Sequence, residues 1–456
     1  MRLSPPRGLA WVPIALAATV VVTASCARST SGNGDGRDAG DQIPPPFGND
    51  GGNAAGPCVN LQCKRVDCGG AATTSIIGRV VTGAKIDPDP VYNAIVYIPN
   101  ETPQPFDDSV VCDHCGVITS GKPVAAAVTG ADGSFTLVDV PVGENIPLVV
   151  QLGKWRRQTV IPSVTACKQN YIDTPLTRLP RNRSEGDIPR IAIATGYIDP
   201  IECVLRKMGI EDGEFTGPLE DGRVHIYDDD GSKVPGALPA AQLWGSVDTL
   251  KRYDMVLLPC EGSEKLKTPE ATQNIIDYTT VGGRVMSSHY GYVWIARAQT
   301  PFPQTGDWNP NQAELDQPMN ALIDRSFPKG QAMADWLRFV KASDTLGQIV
   351  IDQPRHDLGL PRNGSFRWVY APKDPSTVLH MTFNTPIGAA PAAQCGRVVY
   401  SDFHVTPTEA YSTPPFPTEC YEGPLLATER VLEFMLFDLE TCIQDDSEYP
   451  KPPPAR

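Results

Sequence analysis

The period of the apolar residues changes once along this chain of 456 residues, and that change limits the folds it can adopt. Between residues 72 and 167, short apolar runs alternate with polar residues, as in Ser75–Val81 and Tyr92–Pro99. From Ile188 onward, continuous apolar runs alternate with segments of helical spacing. Alternating strands are typical of sheets with one solvated face, whereas buried strands between helices indicate a mostly parallel sheet covered on both faces. The sequence therefore predicts a multidomain protein, with an N-terminal part built of short β-strands followed by a C-terminal α/β domain with a mostly parallel sheet.

The first 26 residues have the composition of an export signal. Arg2 and Arg7 precede the apolar run Leu9–Val22, which is shorter than the roughly 20 residues of a membrane-spanning helix. Small residues then lead directly to Cys26. This order resembles the bacterial lipoprotein signal, which implies cleavage after residue 25 and lipidation of Cys26. The alternative is an ordinary cleaved signal in which Cys26 has no role.

The segment after Cys26 is rich in Gly, Asp, Asn and Pro and offers almost nothing to bury. We therefore expect residues 26–71 to be a lipidated cysteine and a disordered tether. Ala27 stands where an aspartate would resemble an inner-membrane retention signal, so we expect the outer membrane or the periplasm. The formal net charge of −14 argues against nucleic acid as a partner. The expected partners are the membrane, through the lipid anchor, and a glycan or an envelope protein.

Twelve cysteines support export independently, because an oxidising compartment favours disulfides. Eleven remain without Cys26, so at least one is free or pairs with another chain. The interpretations that we favour are disulfides from Cys112 and Cys115 to the group Cys58, Cys63, Cys68 and Cys167, a Cys420–Cys442 disulfide, and a Cys203–Cys260 disulfide or a buried free Cys260. A redox or zinc-binding role for the Cys112–Cys115 motif and a reactive thiol at Cys260 are the alternatives.

The first half carries a family resemblance. The order "GRV … NAIVYIP … VTGADGSFTLVDVPVG" resembles the carboxypeptidase regulatory-like domain, a seven-stranded transthyretin-like sandwich. The resemblance covers residues 72–165 and implies an accessory binding or structural domain without catalysis. The Asp132-Gly133 pair between apolar runs predicts a hairpin. Trp155 and Arg156 belong to a basic and aromatic cluster, which we interpret as a strand with the charges outward and Trp155 facing inward. The alternative is that these two ligand-binding candidates bind a sugar or an anion.

The second half carries another resemblance. The series "YDMVLLPCEG … GGRVMSSHYG" and the later "CGRVVYSDFH" resemble the flavodoxin-like sheet of class I glutamine amidotransferases and ThuA-like proteins. The match covers residues 188–442, with residues 296–375 as a large unmatched insertion. The family's nucleophilic cysteine is missing from the turn Ser287–Gly291, and the acid that should follow His404 is missing too. The resemblance therefore implies a catalytic elbow that has been lost.

Five polar residues follow predicted parallel strands, where open α/β sheets bind ligands. The catalytic candidates are Ser288, His289, Asp402 and His404, and Glu261 is a further ligand-binding candidate. The sequence predicts no cofactor and assigns no residue as a metal ligand. We expect a non-catalytic binding or structural lipoprotein. The alternative is a metal-assisted or Ser/His hydrolase acting on an extracellular carbohydrate or amide.

Two helices have clear local signals. Thr268 and Pro269 predict the cap and first residue of a helix that runs to about Tyr278. Apolar residues at helical spacing predict another helix, Thr428–Leu439, with one core-facing stripe. The predicted organisation is a signal peptide (1–25), the tether (26–71), the sandwich (72–167), a linker (168–187), the α/β domain (188–442) and a disordered tail (443–456). As a whole, the chain resembles uncharacterised myxobacterial surface lipoproteins.

Overall fold

A computed structural model describes residues 58–70, 72–115, 119–310, 312–405 and 415–455. The predicted signal peptide, Cys26 and the first part of the tether lie outside the described residues. Residues 57–456 form one compact unit. Among the described residues, no helix is both long enough and apolar enough to cross a membrane.

Seven strands form two sheets in the first half of this unit. They are β1 (Ser75–Arg79), β2 (Ile95–Pro99), β3 (Pro123–Val128), β4 (Ser134–Val138), β5 (Gly143–Leu152), β6 (Trp155–Val164) and β7 (Gln169–Tyr171). One sheet has the order β4-β1-β7 and the other the order β3-β2-β5-β6. The hairpin predicted at Asp132-Gly133 is wrong, because β4 pairs with β1 and β3 pairs with β2. The turn carries the chain from one sheet to the other.

A ten-stranded sheet, called the large sheet below, dominates the second half of this unit. The strands of this half are β8 (Ile191–Ala194), β9 (Phe215–Thr216), β10 (Val224–Tyr227), β11 (Met255–Leu258), β12 (Arg284–Ser288), β13 (Gly306–Trp308), β14 (Met319–Ile323), β15 (Gln348–Ile351), β16 (Leu358–Pro361), β17 (Phe366–Tyr370), β18 (Val378–Thr385) and β19 (Gly396–Ser401). The large sheet has the order β15-β14-β17-β18-β19-β12-β11-β8-β10-β9, while β13 and β16 pair separately.

The large sheet is mixed, which corrects the prediction of a mostly parallel sheet. The six strands from β19 to β9 run parallel to one another. The remaining four join at the other side of β19 through antiparallel pairings. Three of these four, β14, β15 and β17, come from the insertion 296–375. The insertion therefore widens the sheet rather than forming a separate loop region.

Seven α-helices accompany the sheets in the described part of the chain. They are α1 (Thr174–Thr177), α2 (Ile201–Lys207), α3 (Ala241–Trp244), α4 (Val247–Leu250), α5 (Pro269–Thr280), α6 (Pro328–Phe339) and α7 (Ala427–Glu440). The start of α5 is as predicted, since Oγ1 of Thr268 accepts a hydrogen bond from the Ala271 N–H. Both β7 and α1 lie in residues 168–187, so the segment predicted as a linker contains regular structure.

The last helix, α7, is buried on nearly every side instead of along one stripe. Phe434 stacks on Tyr92 at a ring-centroid distance of 5.5 Å, and Phe437 meets the edge of Trp155 at 5.7 Å. Other apolar residues of α7 belong to the same core as strands of the large sheet. One continuous apolar core therefore joins the seven-stranded part to the ten-stranded sheet.

The predicted disordered tail is wrong at its beginning. Asp446 is buried and its carboxylate oxygens lie 2.9 Å from the Lys329 ammonium and 2.8 Å from the Arg397 guanidinium. Asp438 of α7 contacts the same two cations at 2.8 Å each. These four charges hold residues 443–446 against α7 and the sheet, because buried charges must be paired.

Five disulfides correct most of the predicted pairings. They are Cys58–Cys63, Cys68–Cys167, Cys112–Cys395, Cys115–Cys442 and Cys203–Cys420. The predicted Cys420–Cys442 and Cys203–Cys260 pairs do not form, and neither Cys112 nor Cys115 pairs with the N-terminal group. Cys260 is the one free cysteine of the described residues, and it is buried. The predicted odd thiol is confirmed there.

Candidate functional site

Four neighbouring parallel strands end at the same edge of the large sheet. Asp199 follows β8, Cys260 follows β11, His289 follows β12 and His404 follows β19. Because the carboxyl ends of adjacent parallel strands meet, side chains from distant parts of the chain converge here. The structure thus brings together the predicted His289 and His404 with two residues that were not predicted as site residues.

Cys260, His289 and His404 form the centre of this site. One sulfur or nitrogen atom from each lies within 4.8 Å of the other two. The Cys260 Sγ is 3.4 Å from Nδ1 of His289, and the two imidazole rings meet edge to face at 4.9 Å. All three side chains are buried, although they line an open pocket.

Each of these two histidines has a carboxylate near one of its ring nitrogens. Nδ1 of His404 lies 3.1 Å from Oδ2 of Asp199, and Nε2 of His289 lies 3.6 Å from Oδ2 of Asp357. A carboxylate on one ring nitrogen orients the imidazole and favours a lone pair on the other nitrogen. Nδ1 of His289 therefore faces Cys260, and Nε2 of His404 is the nitrogen that Asp199 leaves available.

Ser288, a predicted catalytic residue, has a positioning role in this geometry. Its hydroxyl donates to Oδ2 of Asp199 at 2.6 Å and accepts from the Cys260 N–H at 3.1 Å. The residue is fully buried and does not line the pocket. The backbone residue with unusual geometry in this turn is His289, whose φ is 40°.

Asp402, the fourth predicted catalytic residue, lies behind the pocket. Its Oδ2 accepts hydrogen bonds from the backbone N–H groups of Asp357 and Leu358 at 2.7 and 3.1 Å. The Tyr400 hydroxyl donates to its Oδ1 at 3.0 Å. Asp402 thereby holds the segment that carries Asp357 in place, so it positions the site and does not face it.

The three predicted ligand-binding residues lie elsewhere. Trp155 is 2% exposed against α7, and Arg156 is 3% exposed and bonded to Asp187 at 2.9 Å, so neither is accessible to a ligand. The carboxylate of Glu261 pairs with Lys267 at 2.5 Å, in an acidic cluster with Asp229 and Asp230. Glu261 is adjacent to Cys260 in sequence but does not line the same pocket.

The pocket in front of the site has a volume of about 380 Å³. Besides Cys260 and the two histidines, its lining residues are Ile198, Gly262, Tyr290, Gln312, Glu314, Pro354, Arg355, His356 and Asp357. Most of the unpredicted residues come from the insertion 296–375, for which the family patterns provided no match. The sequence signal for Cys260 was the odd number of cysteines that remain once Cys26 is set aside as the predicted lipidation site. The only sequence signal for Asp199 was its position after a predicted strand.

Burial keeps the central thiol and imidazole uncharged. It lowers the pKa of His289 to about 2, with smaller effects from His404 and Arg355. It raises the pKa of the Cys260 thiol to about 12, and the neighbouring charge of Asp199 acts in the same direction. A thiolate–imidazolium pair is therefore disfavoured near neutral pH. A bound divalent cation would reverse this balance, because metals displace the thiol proton.

Comparisons with known proteins assign no family to this site. No family model matches the chain, and no curated protein matches it. Among solved structures, the chain is similar to a cytoplasmic protein of Salmonella typhimurium, with 14% identity over 56% of this chain and 100% of that one, at a TM-score of 0.30. It is also similar to an IFT52 N-terminal domain, with 8% identity over 55% of this chain and 97% of that one, at a TM-score of 0.31. The similarity to the GH42 β-galactosidase Gan42B of G. stearothermophilus has 10% identity over 50% of this chain and 29% of that one, at a TM-score of 0.24. Likenesses at these TM-scores carry no conclusion about fold or function.

Proposed function

We propose that this protein is an exported, metal-dependent hydrolase with a zinc-type ion held by Cys260, His289 and His404. The observation that carries the proposal is the convergence of these three ligand atoms within 4.8 Å at the rim of a 380 Å³ pocket. One thiolate and two imidazoles are a donor set that suits Zn²⁺. The non-catalytic function favoured by the sequence becomes the second candidate.

The distances support a tetrahedral site. Zinc bonds of about 2.3 Å to sulfur and about 2.0 Å to nitrogen place the two donors about 3.5 Å apart at a tetrahedral angle. The corresponding separation between Cys260 Sγ and His289 Nδ1 is 3.4 Å. Asp199, 3.1 Å from Nδ1 of His404, is an outer carboxylate of the kind that orients histidine ligands, and Asp357 lies 3.6 Å from Nε2 of His289. With three protein ligands, a bound zinc ion would keep a fourth position for water or substrate, which is the pattern of catalytic sites.

The chemistry at this site would be hydrolysis of a carbonyl or phosphoryl bond. A bound zinc ion acidifies water and polarises such a bond. Asp199 holds the His404 ring in one orientation, while Ser288 fixes Asp199 and the backbone of Cys260 together. These contacts fix the polar groups of the site before a substrate binds. Groups held in place in this way can stabilise the charge that develops in a transition state.

The location and the finer fold assignments also belong to this proposal. The signal pattern ending at Cys26 supports a lipid-anchored protein at the outer membrane or in the periplasm, and five disulfides agree with an oxidising compartment. The sheets of three and four strands support a carboxypeptidase regulatory-like sandwich. The six parallel strands support an amidotransferase-like or ThuA-like core, extended by the insertion.

Elemental analysis of the disulfide-bonded protein tests the metal. We expect about one zinc ion per chain in the wild type, and none in the His289→Ala/His404→Ala variant. His356→Ala is the matched control, since His356 lines the same pocket but its ring contacts Thr377 and Ala313. Wild-type protein that binds no zinc after reconstitution contradicts the proposal. Zinc-dependent cleavage of a panel of ester, amide and phosphoester substrates tests the hydrolase.

The second candidate is a non-catalytic binding protein at the envelope. It is favoured by the turn Ser287–Gly291, where Ser288 uses its hydroxyl in two hydrogen bonds and no residue occupies a nucleophile position. A glycan or an envelope protein remains its expected partner. Stoichiometric zinc without turnover of any substrate in the panel would favour this candidate over the hydrolase.

A further inference from the structure

Arg355 is a cation in the wall of the same pocket, and it has no carboxylate partner within 4.0 Å among the described residues. Within the part of the chain that the structure describes, its side chain has one hydrogen bond, from a terminal nitrogen to the neutral amide oxygen of Gln353 at 3.4 Å. Its Nε is buried and has no acceptor among the same residues. A guanidinium presents five donors, so most of the hydrogen-bonding capacity of Arg355 remains available to a ligand.

The backbone on both sides of Arg355 is held firmly. The Arg355 N–H donates to the carbonyl oxygen of Asp402 at 2.8 Å, and Pro354 forms an antiparallel bridge with Phe403. Two residues later, the Asp402 carboxylate accepts the N–H groups of Asp357 and Leu358. A fully buried carboxylate is thus used to place this short segment, which carries both Arg355 and Asp357 to the pocket.

We propose that the substrate of this pocket carries an anionic group, a carboxylate or a phosphate, and that Arg355 binds it. The inference rests on the proposed hydrolase and names the substrate class of that site. A planar guanidinium matches the two oxygens of a carboxylate or phosphate, and such charge-assisted pairs are stronger than neutral hydrogen bonds. Arg355 is then a specificity-determining residue, which orients the substrate beside Cys260, His289 and His404.

Calorimetric titration of the zinc-loaded, disulfide-bonded protein tests this assignment. The probes are inorganic phosphate and benzoate, which separate the two anion sources. We expect at least one to bind the wild type, and Arg355→Gln to weaken that binding about tenfold or more. Arg355→Lys should retain part of the affinity, because it keeps the charge but loses the planar fork. Arg362→Gln is the control, since Arg362 is an exposed arginine paired with Asp307 outside this pocket.

Three measurements keep the outcomes separate. Zinc content should be unchanged in Arg355→Gln, and thermal unfolding should show that the variant is folded. The His289→Ala/His404→Ala variant reports how much of the anion affinity depends on the metal alone. Binding that depends on Arg355 in protein that holds no zinc would support the anion site while contradicting the proposed metal. Wild-type affinity in Arg355→Gln, or no binding of either probe, would overturn the inference.

Discussion

The carboxylate of Asp199 lies 3.1 Å from Nδ1 of His404, although 205 residues of chain separate the two. Asp199 also accepts hydrogen bonds from the Ser288 hydroxyl and the Val405 N–H. A buried carboxylate with three partners from two other strand ends holds the site together. Its contact with Nδ1 of His404 leaves Nε2 as the other ring nitrogen of that histidine.

The first prediction concerns this carboxylate. Asp199→Asn should lower zinc affinity about 10- to 100-fold, because it removes the charge that orients His404 and makes its ring more basic. The measurement is competition with a chromophoric chelator. Asp248→Asn is a suitable control, since Asp248 is an exposed residue whose nearest cation lies 3.8 Å away. An unchanged zinc affinity in Asp199→Asn would show that His404 is not a ligand.

The second prediction concerns the disulfides. Cys203–Cys420 joins residues 217 apart, whereas Cys58–Cys63 joins residues 5 apart. Replacing both cysteines of the long-range pair by alanine should lower the free energy of unfolding by about 5 kcal/mol, because the longer closed loop restricts the unfolded chain more than the short one does. The short-range pair should cost about 2 kcal/mol by the same reasoning. Denaturant unfolding measures both, and equal losses would contradict the loop-length argument.

The third prediction concerns the buried charges near the chain end. Lys329→Met should cost about 3–5 kcal/mol, because it leaves Asp438 and Asp446 with only Arg397 as a buried partner. Lys373→Met is the surface control, as the Lys373–Asp316 pair is largely exposed, and its denaturation midpoint should not change. If both variants unfold at the wild-type midpoint, the four-charge network does not stabilise residues 443–446.

The fourth prediction concerns pH. Burial raises the pKa of the Glu202 carboxyl to about 7, although the hydrogen bond that the Ser232 hydroxyl donates to it at 2.6 Å acts in the opposite direction. The unfolded carboxyl loses its proton first, near its ordinary pKa of 4.5. The contribution of Glu202 to stability is therefore fully present below pH 4.5 and is lost as pH rises towards 7, by about 3 kcal/mol at most.

Glu202→Gln provides the test of that titration. We expect the variant to be more stable than the wild type at pH 8, and its stability to depend less on pH between about 4.5 and 7. Asp212→Asn is the comparison, since Asp212 is half exposed and pairs with Arg206, which lies on the same helix, α2, as Glu202. Parallel stability curves for Glu202→Gln and the wild type would mean that Glu202 does not titrate in this range.

Local signals in the sequence were sufficient for elements whose formation depends on neighbours along the chain. Thr268 and Pro269 start α5 as predicted, and the spacing in residues 428–439 predicted α7 to within one residue at each end. The strand runs near Ile191, Met255 and Arg284 predicted the parallel core. Capping, proline placement and apolar period act over a few residues, so they can be read directly.

The sequence by itself also indicated that eleven cysteines remain once Cys26 is set aside as the predicted lipidation site, so that one lacks a partner, and that His289 and His404 follow predicted strands. Only the tertiary structure decided that the unpaired thiol is Cys260, that it lies against those histidines, and that Ser288 and Asp402 support the site from behind. It also decided that the insertion extends the sheet and brings Arg355 to the pocket. Strand order and disulfide pairing join residues hundreds of positions apart, and no local pattern of residues encodes which distant partner each one meets.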